Sequence, residues 1–579
     1  MLEMSAVHHE NSGRYCYAYN DNDVHIRLKT GKQNIERVTL FVGDPYVWTS
    51  DVTARDLCGW EGGEELDMTL EATTESNFNW FCSYFSEKKR VMYGFIIYLK
   101  DGRSYIYGES YYKEITDPEV RAFELKKAFN FYSLPYIAKV DVNRTPDWAR
   151  EVTWYQILPD RFRCSNEQGD DLQPETWGTQ NGQTYKAGGN LWGILDKLDY
   201  IQELGFNGLY LCPVFEGETW HKYDTIDYMK VDPAFGGNEA LEKLVAEAHK
   251  RGMKVMLDAV FNHIGHRSPI WLDVIEKGEA SEYKDWFYIN KFPVEKDKNF
   301  DSETGILTYE AFADIVEMPK LNVDNPECRD YLLKVTKYWT EKLNLDAWRL
   351  DVSIEVSHQF WREFRQCVHG IKPDCFIVGE NWHEGMNWLR GDQFDSFMNY
   401  PISQPMIDYF AYQETTNQEF MSRFTNASIM YPKQNQAVML NLIDSHDTSR
   451  ILTVCDGDLE KVKLMYVVLL TQPGSPSIYY GSELAMEGKM FTTARDVVNW
   501  DESSYQSDLR PLLKELLSLR KKHNYFIDQT IQWLVSGDST LLAYRMGDLK
   551  VILNNTSEAV CEEVDGENVE LAPFSYLLA

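Results

Sequence analysis

Four short stretches put acids, histidines and an arginine at the ends of strand-like runs. They are Asp258 with Asn262 and His263, Arg349 with Asp351, Glu380 alone, and Asp444 with His446 and Asp447. One acid after a strand is most often a helix cap or a turn residue. Four such groups with a cation and histidines interleaved point to a shared chemical site. Paired carboxylates on one rim suit glycoside hydrolysis, in which an ionised carboxylate attacks the anomeric carbon and a protonated one assists the leaving group. Clustered acids also suit a metal. Arg349 already supplies a cation beside Asp351, which argues against a metal there. Alternate residues of a strand share a face. Arg349 would therefore keep Asp351 ionised, while Asp351 and Asp447 would hold the proton on Glu380.

The elements that must position these groups begin near residue 150, where strand and helix alternate. Strands are predicted at 152–158, 207–212, 254–260, 347–351, 375–380, 394–399, 439–444 and 477–480. Between them, 191–204 has a helical apolar face of Leu191, Ile194, Leu195, Leu198 and Ile201. The next helix is predicted to start at a cap, Asn238, and to stop at Gly252. Pro326, preceded by Asn325, opens a helix at its favoured first position. Further helices fall at 357–369 and 459–470. Eight strands with helical crossovers imply a parallel (β/α)8 TIM barrel. Its active site would lie at the C-terminal strand ends, where the acids fall. Residues 261–325 interrupt the rhythm as a polar, aromatic loop insertion without a long periodic segment.

The flanks are β-rich. Residues 1–125 carry RYCYAY, DVHIRLKT, ERVTLFVG and MYGFIIYLK, with Asp101-Gly102 as a hairpin turn. The reading is a multidomain chain: an N-terminal β-sandwich (1–125), a linker (126–149), the catalytic barrel (150–522) and a C-terminal β-sandwich domain (523–579). A chain of 579 residues is too long for one core.

A net charge of −32 argues against nucleic acid and anionic membranes as partners. It fits a neutral substrate. No stretch of about 18 apolar residues is present to span a membrane. The first residues lack a signal-peptide pattern, and the ten cysteines show neither C-x-x-C nor zinc spacing. A reduced, cytoplasmic protein is the expectation.

These stretches resemble glycoside hydrolase family 13, the α-amylase family, over nearly the whole chain. The motifs are LDAVFNH (257–263), WRLDV (348–352), VGENWH (378–383) and DSHDTSR (444–450), with GFNGLYLCPVF (205–215) and GSPSIYYG (474–481) as two more. The resemblance implies Asp351 as nucleophile, Glu380 as general acid/base and Asp447 as the carboxylate that stabilises the transition state. It implies that His263 and His446 hydrogen-bond sugar hydroxyls, that Arg349 orients the nucleophile, and that Tyr223 stacks on the reacting sugar. Asp258, Asn262 and Trp382 join the substrate-binding set from the same motifs.

Within the family, MPKLN (318–322) and Glu355-Val356 resemble the neopullulanase, cyclomaltodextrinase and maltogenic amylase group. That resemblance implies a retaining α-glucan hydrolase acting on α-1,4 and some α-1,6 links in cyclodextrins, maltodextrins or pullulan. The alternatives are a mainly glycosyl-transferring enzyme and a non-catalytic glucan-binding protein. The group also implies a homodimer through the N-terminal domain, with Trp48 as a candidate wall of the partner's cleft. No cofactor is required. A structural calcium ion is a weaker expectation, with Asn166, Asp170, Asp171 and Asn190 as candidate ligands, because GGN (188–190) replaces the group's Gly-Gly-Asp. Asn381 stands where the group usually has an apolar residue, and its place beside Glu380 suggests an influence on the choice of acceptor.

Overall fold

The computed structural model describes residues 2–49, 59–170, 172, 177–178, 185–295, 305, 307–505, 507–523 and 529–579. The barrel sheet runs in the order Ser396–Phe397, Phe376–Gly379, Ala347–Leu350, Lys254–Ala259, Gly208–Leu211, Trp154–Ile157, Ser477–Tyr479, all parallel. These seven strands match seven of the eight expected ones. Each is short and buried on both faces, as parallel strands are.

The stretch 439–444 is not a regular strand. It forms a single bridge, Met398 to Leu440, and its neighbours bond to both edges of the sheet. Leu440 donates its N–H to the Phe397 carbonyl (3.1 Å), and Ser477 donates to the Asn441 carbonyl (2.8 Å). The chain is kinked locally by Asn441 N–H bonding back to Met439 (2.9 Å). The barrel closes, but irregularly at its seventh position.

The helices carry two corrections. The predicted 191–204 helix breaks at Lys197 into Leu191–Asp196 and Leu198–Leu204. Asn238 does not cap Gly237–Lys250; it lies inside the first turn, and its side chain instead accepts the Val231 N–H (2.8 Å). Asn325 and Ser357 do cap their helices, Pro326–Leu343 and His358–Ile371. Among its described residues the insertion holds one α-helix, Pro269–Lys277, which short apolar spacing concealed, and three 3-10 turns.

The N-terminal domain packs two antiparallel sheets. Val24, Ile26 and Leu28 of Asp23–Gly31 face Val38, Leu40 and Val42 of Ile35–Gly43 in one core. Residues 126–149 contribute the strand Tyr132–Leu134, which pairs with Val91–Leu99, so the sheet continues into the stretch read as a linker. The C-terminal domain has the four-stranded sheet Gln532–Trp533, Leu542–Met546, Leu549–Asn554 and Ser575–Leu578, with the hairpin Val560–Val564 and Glu567–Leu571. Leu542 and Tyr544 join the barrel core, while Leu541 and Ala543 face the hairpin side. No helix among the described residues is long and apolar enough to cross a membrane.

Asp23–Gly31 is buried on its outer face too. There Arg27 pairs bidentately with Glu71 (2.7 and 2.9 Å) and donates to the Tyr431 carbonyl of the barrel domain (3.1 Å). Lys433 lies 3.6 Å from the same carboxylate. Burial alone would raise Glu71, but Arg27 and Lys433 hold it below the usual carboxylate range. This pair therefore stabilises the domain junction at neutral pH, and the stabilisation is lost as pH falls through the depressed value. Glu71→Ala leaves a buried, unpaired guanidinium. It should lower the unfolding midpoint in calorimetry by an amount equivalent to about 3–5 kcal/mol, and Arg27→Met combined with Glu71→Leu should recover most of that. A wild-type midpoint in Glu71→Ala would rule out the junction role.

Candidate active site

The site grows from the register of two adjacent strands. Asp258 and Arg349 are direct partners across the parallel ladder. Asp351 follows Arg349 by two residues, so both side chains point into the barrel. Arg349 Nη1 donates to Asp351 Oδ1 (2.7 Å) and to both Asp258 oxygens (3.0 Å each). Its Nη2 stands 2.9 Å from Glu380 Oε2, without the angle of a hydrogen bond. One fully buried guanidinium is thus shared by three carboxylates.

That sharing corrects the expectation that Arg349 alone settles the charge of Asp351. Burial pushes the Asp351 carboxyl well up, Arg349 opposes, and the charges of Glu380 and Asp258 push up again. Burial likewise pushes Asp258 up to about 6 against the pull of Arg349. Tyr210 and Tyr223 each donate to Asp258 Oδ2 at 3.1 Å and spread its charge.

Glu380 is held by the backbone. Its Oε2 accepts the N–H of Val352 (2.9 Å). Val352 adopts φ +45°, in the left-handed region that a β-branched residue rarely visits. Such strain is stored where the surroundings fix it, often in active sites. Nothing in the residue type at 352 signals this.

Asp447 is positioned from two sides. Arg495 Nη2 donates to its Oδ1 (2.9 Å), and His446 Nε2 lies 3.0 Å from its Oδ2. His446 also bonds Tyr223 Oη (2.5 Å) and Gln156 (2.7 Å), with its ring parallel to that of Tyr223. Burial lowers the His446 imidazole well below its ordinary range, so it is neutral at physiological pH.

The cleft is lined by Tyr223, His263, Asp351, Glu380, Trp382 and Asp447 from the expected set. Asp258, Asn262, Arg349 and His446 stand behind that lining, each nearly or fully buried. They hold the lining in place through the bonds given above: Arg349 to Asp351, Asp258 to Tyr223, and His446 to Tyr223. His263 is also engaged, since its Nε2 bonds the Tyr223 carbonyl (3.0 Å). Asn381 is buried and turns the 381–384 loop, accepting from His383 N–H and donating to the Glu384 carbonyl. It reaches the cleft only through Trp382, which that loop carries.

Trp382, one of the expected residues, lies flat on Tyr400, ring centres 4.0 Å apart. Sequence reasoning missed several other lining residues. His221 lines the cleft, and its Nδ1 accepts the Tyr223 N–H (3.1 Å). Burial holds that imidazole down near 3, so it is neutral and its Nε2 carries the proton as a donor. The motif HKYDT offered this signal. Arg495 and Phe491 lie in a loop with no periodicity, so no pattern marked them.

MPKLN closes the insertion onto the site. Lys320 bridges antiparallel to His263, and its ammonium bonds Asn262 Oδ1 and Glu355 Oε2. The insertion is thereby tied to the ends of both the third and fourth barrel strands.

Asn166 and Asn190, two of the calcium candidates, are engaged by the chain itself. Asn190 Oδ1 caps its helix at Gly193 (2.8 Å), and its amide donates to the Ser165 carbonyl (2.9 Å). Asn166 turns its amide on Asp170 and accepts two backbone N–H groups. Asp171 lies outside the described residues. Among the described residues no cluster of three or more His, Cys, Asp or Glu is arranged for a metal.

Residues 156–536 match the α-amylase catalytic domain, and residues 1–137 match the α-amylase N-terminal Ig-like domain. The chain belongs to the α-amylase family, glycoside hydrolase family 13, in its group of neopullulanases, cyclomaltodextrinases and maltogenic amylases. It is a glycoside hydrolase. It is 38% identical to a cyclomaltodextrinase of Geobacillus thermopakistaniensis, covering 96% of this chain and 92% of that one. It is 39% identical to an intracellular maltogenic amylase of Bacillus subtilis, covering 93% and 88%. A solved cyclomaltodextrinase structure superposes with a TM-score of 0.87 at 37% identity, covering 97% of this chain and 93% of the other.

The shared guanidinium makes a pH prediction. Removing the charge of Asp258 lowers the cost of ionising Asp351. The acid limb of kcat/KM in Asp258→Asn should therefore move to lower pH, even with reduced activity. A limb that stays in place or moves upward would show that the two carboxylates are not coupled.

Proposed function

We propose that this protein is a retaining α-glucan hydrolase with Asp351 as nucleophile, Glu380 as acid/base and Asp447 as transition-state stabiliser. The observation that carries this reading is the single guanidinium bridging Asp351 and Glu380 at one cleft. Asp351 Oδ1 accepts the shortest of the Arg349 bonds, which favours its charge. Glu380 Oε2 faces Val352 N–H and Arg349, which leaves Oε1 to carry the proton.

Asp351 attacks the anomeric carbon while the glycosidic oxygen departs with the Glu380 proton. A glycosyl ester forms on Asp351. Glu380 then takes a proton from water or a sugar hydroxyl, whose oxygen displaces Asp351 and restores the α configuration. Asp447, fixed by Arg495 and His446, stabilises positive charge building on the ring. These carboxylates need no cofactor. The names of the relatives support cyclodextrins, maltodextrins and pullulan as substrates. Trp382 on Tyr400 offers a flat acceptor platform next to Glu380, which favours some transfer to sugar as well as to water. Assembly as a homodimer through the N-terminal domain belongs to the same reading. There Trp48 is half-buried, its indole N–H held by the Pro45 carbonyl, beside the exposed Tyr46 and Val47.

Asp351→Asn should lose cyclodextrin hydrolysis by orders of magnitude yet still bind maltooligosaccharide in calorimetric titration. Glu380→Gln should lose about 10²–10⁴-fold on substrates with poor leaving groups. Product released by the unaltered enzyme should appear first as the α anomer in proton NMR. Initial β anomer, or near-normal turnover in Asp351→Asn, would sink the mechanism.

A further inference from the structure

Gln156 lies on the first barrel strand, Trp154–Ile157, and is almost fully buried. Its register partners are Tyr210 on the second strand and Tyr479 on the last. Its amide reaches into the barrel, where Nε2 lies 2.7 Å from His446 Nδ1 and 3.7 Å from Cys212 Sγ. Burial pushes the Cys212 thiol up, so the sulfur keeps its hydrogen and carries no charge.

A neutral imidazole has one N–H and one lone pair. Which nitrogen holds the hydrogen is set by the partner of the other. Burial lowers His446 well below its ordinary range; Arg349 and Arg495 lower it further, and Glu380 opposes them. The ring is therefore neutral, and one of its two forms has to be selected.

The surrounding bonds make the selection. Tyr223 has a single hydroxyl hydrogen, which it donates to Asp258 Oδ2 (3.1 Å). The 2.5 Å bond between Tyr223 Oη and His446 Nε2 must then be donated by the imidazole. Asp447 Oδ2, 3.0 Å from the same nitrogen, presents lone pairs to it. Both neighbours thus require the hydrogen on Nε2, which leaves Nδ1 a bare acceptor. Gln156 supplies the matching donor through its amide N–H.

A hydrogen on Nδ1 would reverse this chain. Nε2 would then turn a lone pair on Asp447. Tyr223 would give its hydrogen to His446 and withdraw it from Asp258, leaving Tyr210 to spread that charge with one hydroxyl fewer. Two acids of the site therefore feel the state of one ring.

We propose that Gln156 is a positioning residue: its amide fixes the tautomer of His446, and through it the setting of Asp447 and of the Tyr223 hydroxyl. It acts from behind the cleft lining. The inference rests on the reading of Asp447 as transition-state stabiliser and goes beyond it, naming what keeps that acid's neighbour in its working form.

The test sets Gln156→Glu against Gln156→Leu. At about pH 8 the introduced carboxylate only accepts, so it draws the hydrogen onto Nδ1 and strips it from Nε2. Turnover of cyclodextrin should fall roughly a hundredfold, in kcat more than in KM, since a misplaced imidazole hydrogen weakens the transition state. As pH falls, the carboxylate and the imidazole take up one proton between them, and Nε2 regains its hydrogen. The ratio of variant to unaltered rate should therefore rise about tenfold by about pH 5. Gln156→Leu imposes neither tautomer and should lose only about tenfold. A purely structural role predicts the opposite order, because Glu is the closer match in shape. A larger loss in Gln156→Leu than in Gln156→Glu at the higher pH, or a Gln156→Glu ratio flat in pH, would each overturn the proposal. Neutron diffraction of the unaltered enzyme is decisive whether or not the variants fold. Deuterium should sit on His446 Nε2 and not on Nδ1, and the reverse would overturn the proposal. Failure of the reading of Asp447 is distinguishable: near-normal turnover in Asp447→Asn would sink that reading and leave the hydrogen positions of the unaltered enzyme as they are.

Discussion

The guanidinium of Arg349 is the charge on which the rest of the site depends. It is buried among Asp258, Asp351 and Glu380, and one positive charge cannot neutralise three negative ones. Unpaired charge in a dry interior is expensive, so such a group of acids retains a proton rather than ionising fully. Catalysis by paired carboxylates needs one proton among them, in the right place. The barrel supplies it by geometry: strand register sets Asp258 against Arg349, and strand alternation sets Asp351 beside it. Asp258 and Asp351, both pushed up by burial, are coupled to each other through that guanidinium. Tyrosines 210 and 223 extend the group outward and connect it to the ring that faces substrate.

Around that fixed centre the loops divide the labour. The insertion is pinned by Lys320 to the ends of two strands, so the wall it forms moves with the barrel. The loop after the last strand fixes Asp447 through Arg495. The loop after the fifth strand carries Trp382, stacked on Tyr400. All three loops contribute residues to the lining of the one cleft.

Much of this was legible in the sequence, for a physical reason. Strand periodicity and the residue that ends each strand are local signals, and they carried Asp258, Arg349, Asp351, Glu380 and Asp447 to one rim. Depth was not legible. Sequence gives the face of a strand but not the layer, so the burial of Asp258, Asn262 and His446 behind Tyr223 and Asp351 could not be read from it. The seventh strand failed because its hydrogen bonds go to both neighbours without a regular ladder of its own. Arg495 and Phe491 were invisible because aperiodic loops have no pattern to read. The outer face of Asp23–Gly31 was likewise hidden: its alternation signals one buried face, and only the barrel domain's Tyr431 and Lys433 bury the other.

The bond from Val352 to Glu380 comes from the main chain. Any residue able to sit at φ +45° presents the same N–H, so the orientation of the acid is independent of the side chain at that position. Glycine would present it with less strain, and proline would abolish it. The position can therefore drift in composition while the geometry it enforces stays constant. What heredity must preserve at 352 is a backbone shape, and that shape is dictated by the residues packed around it.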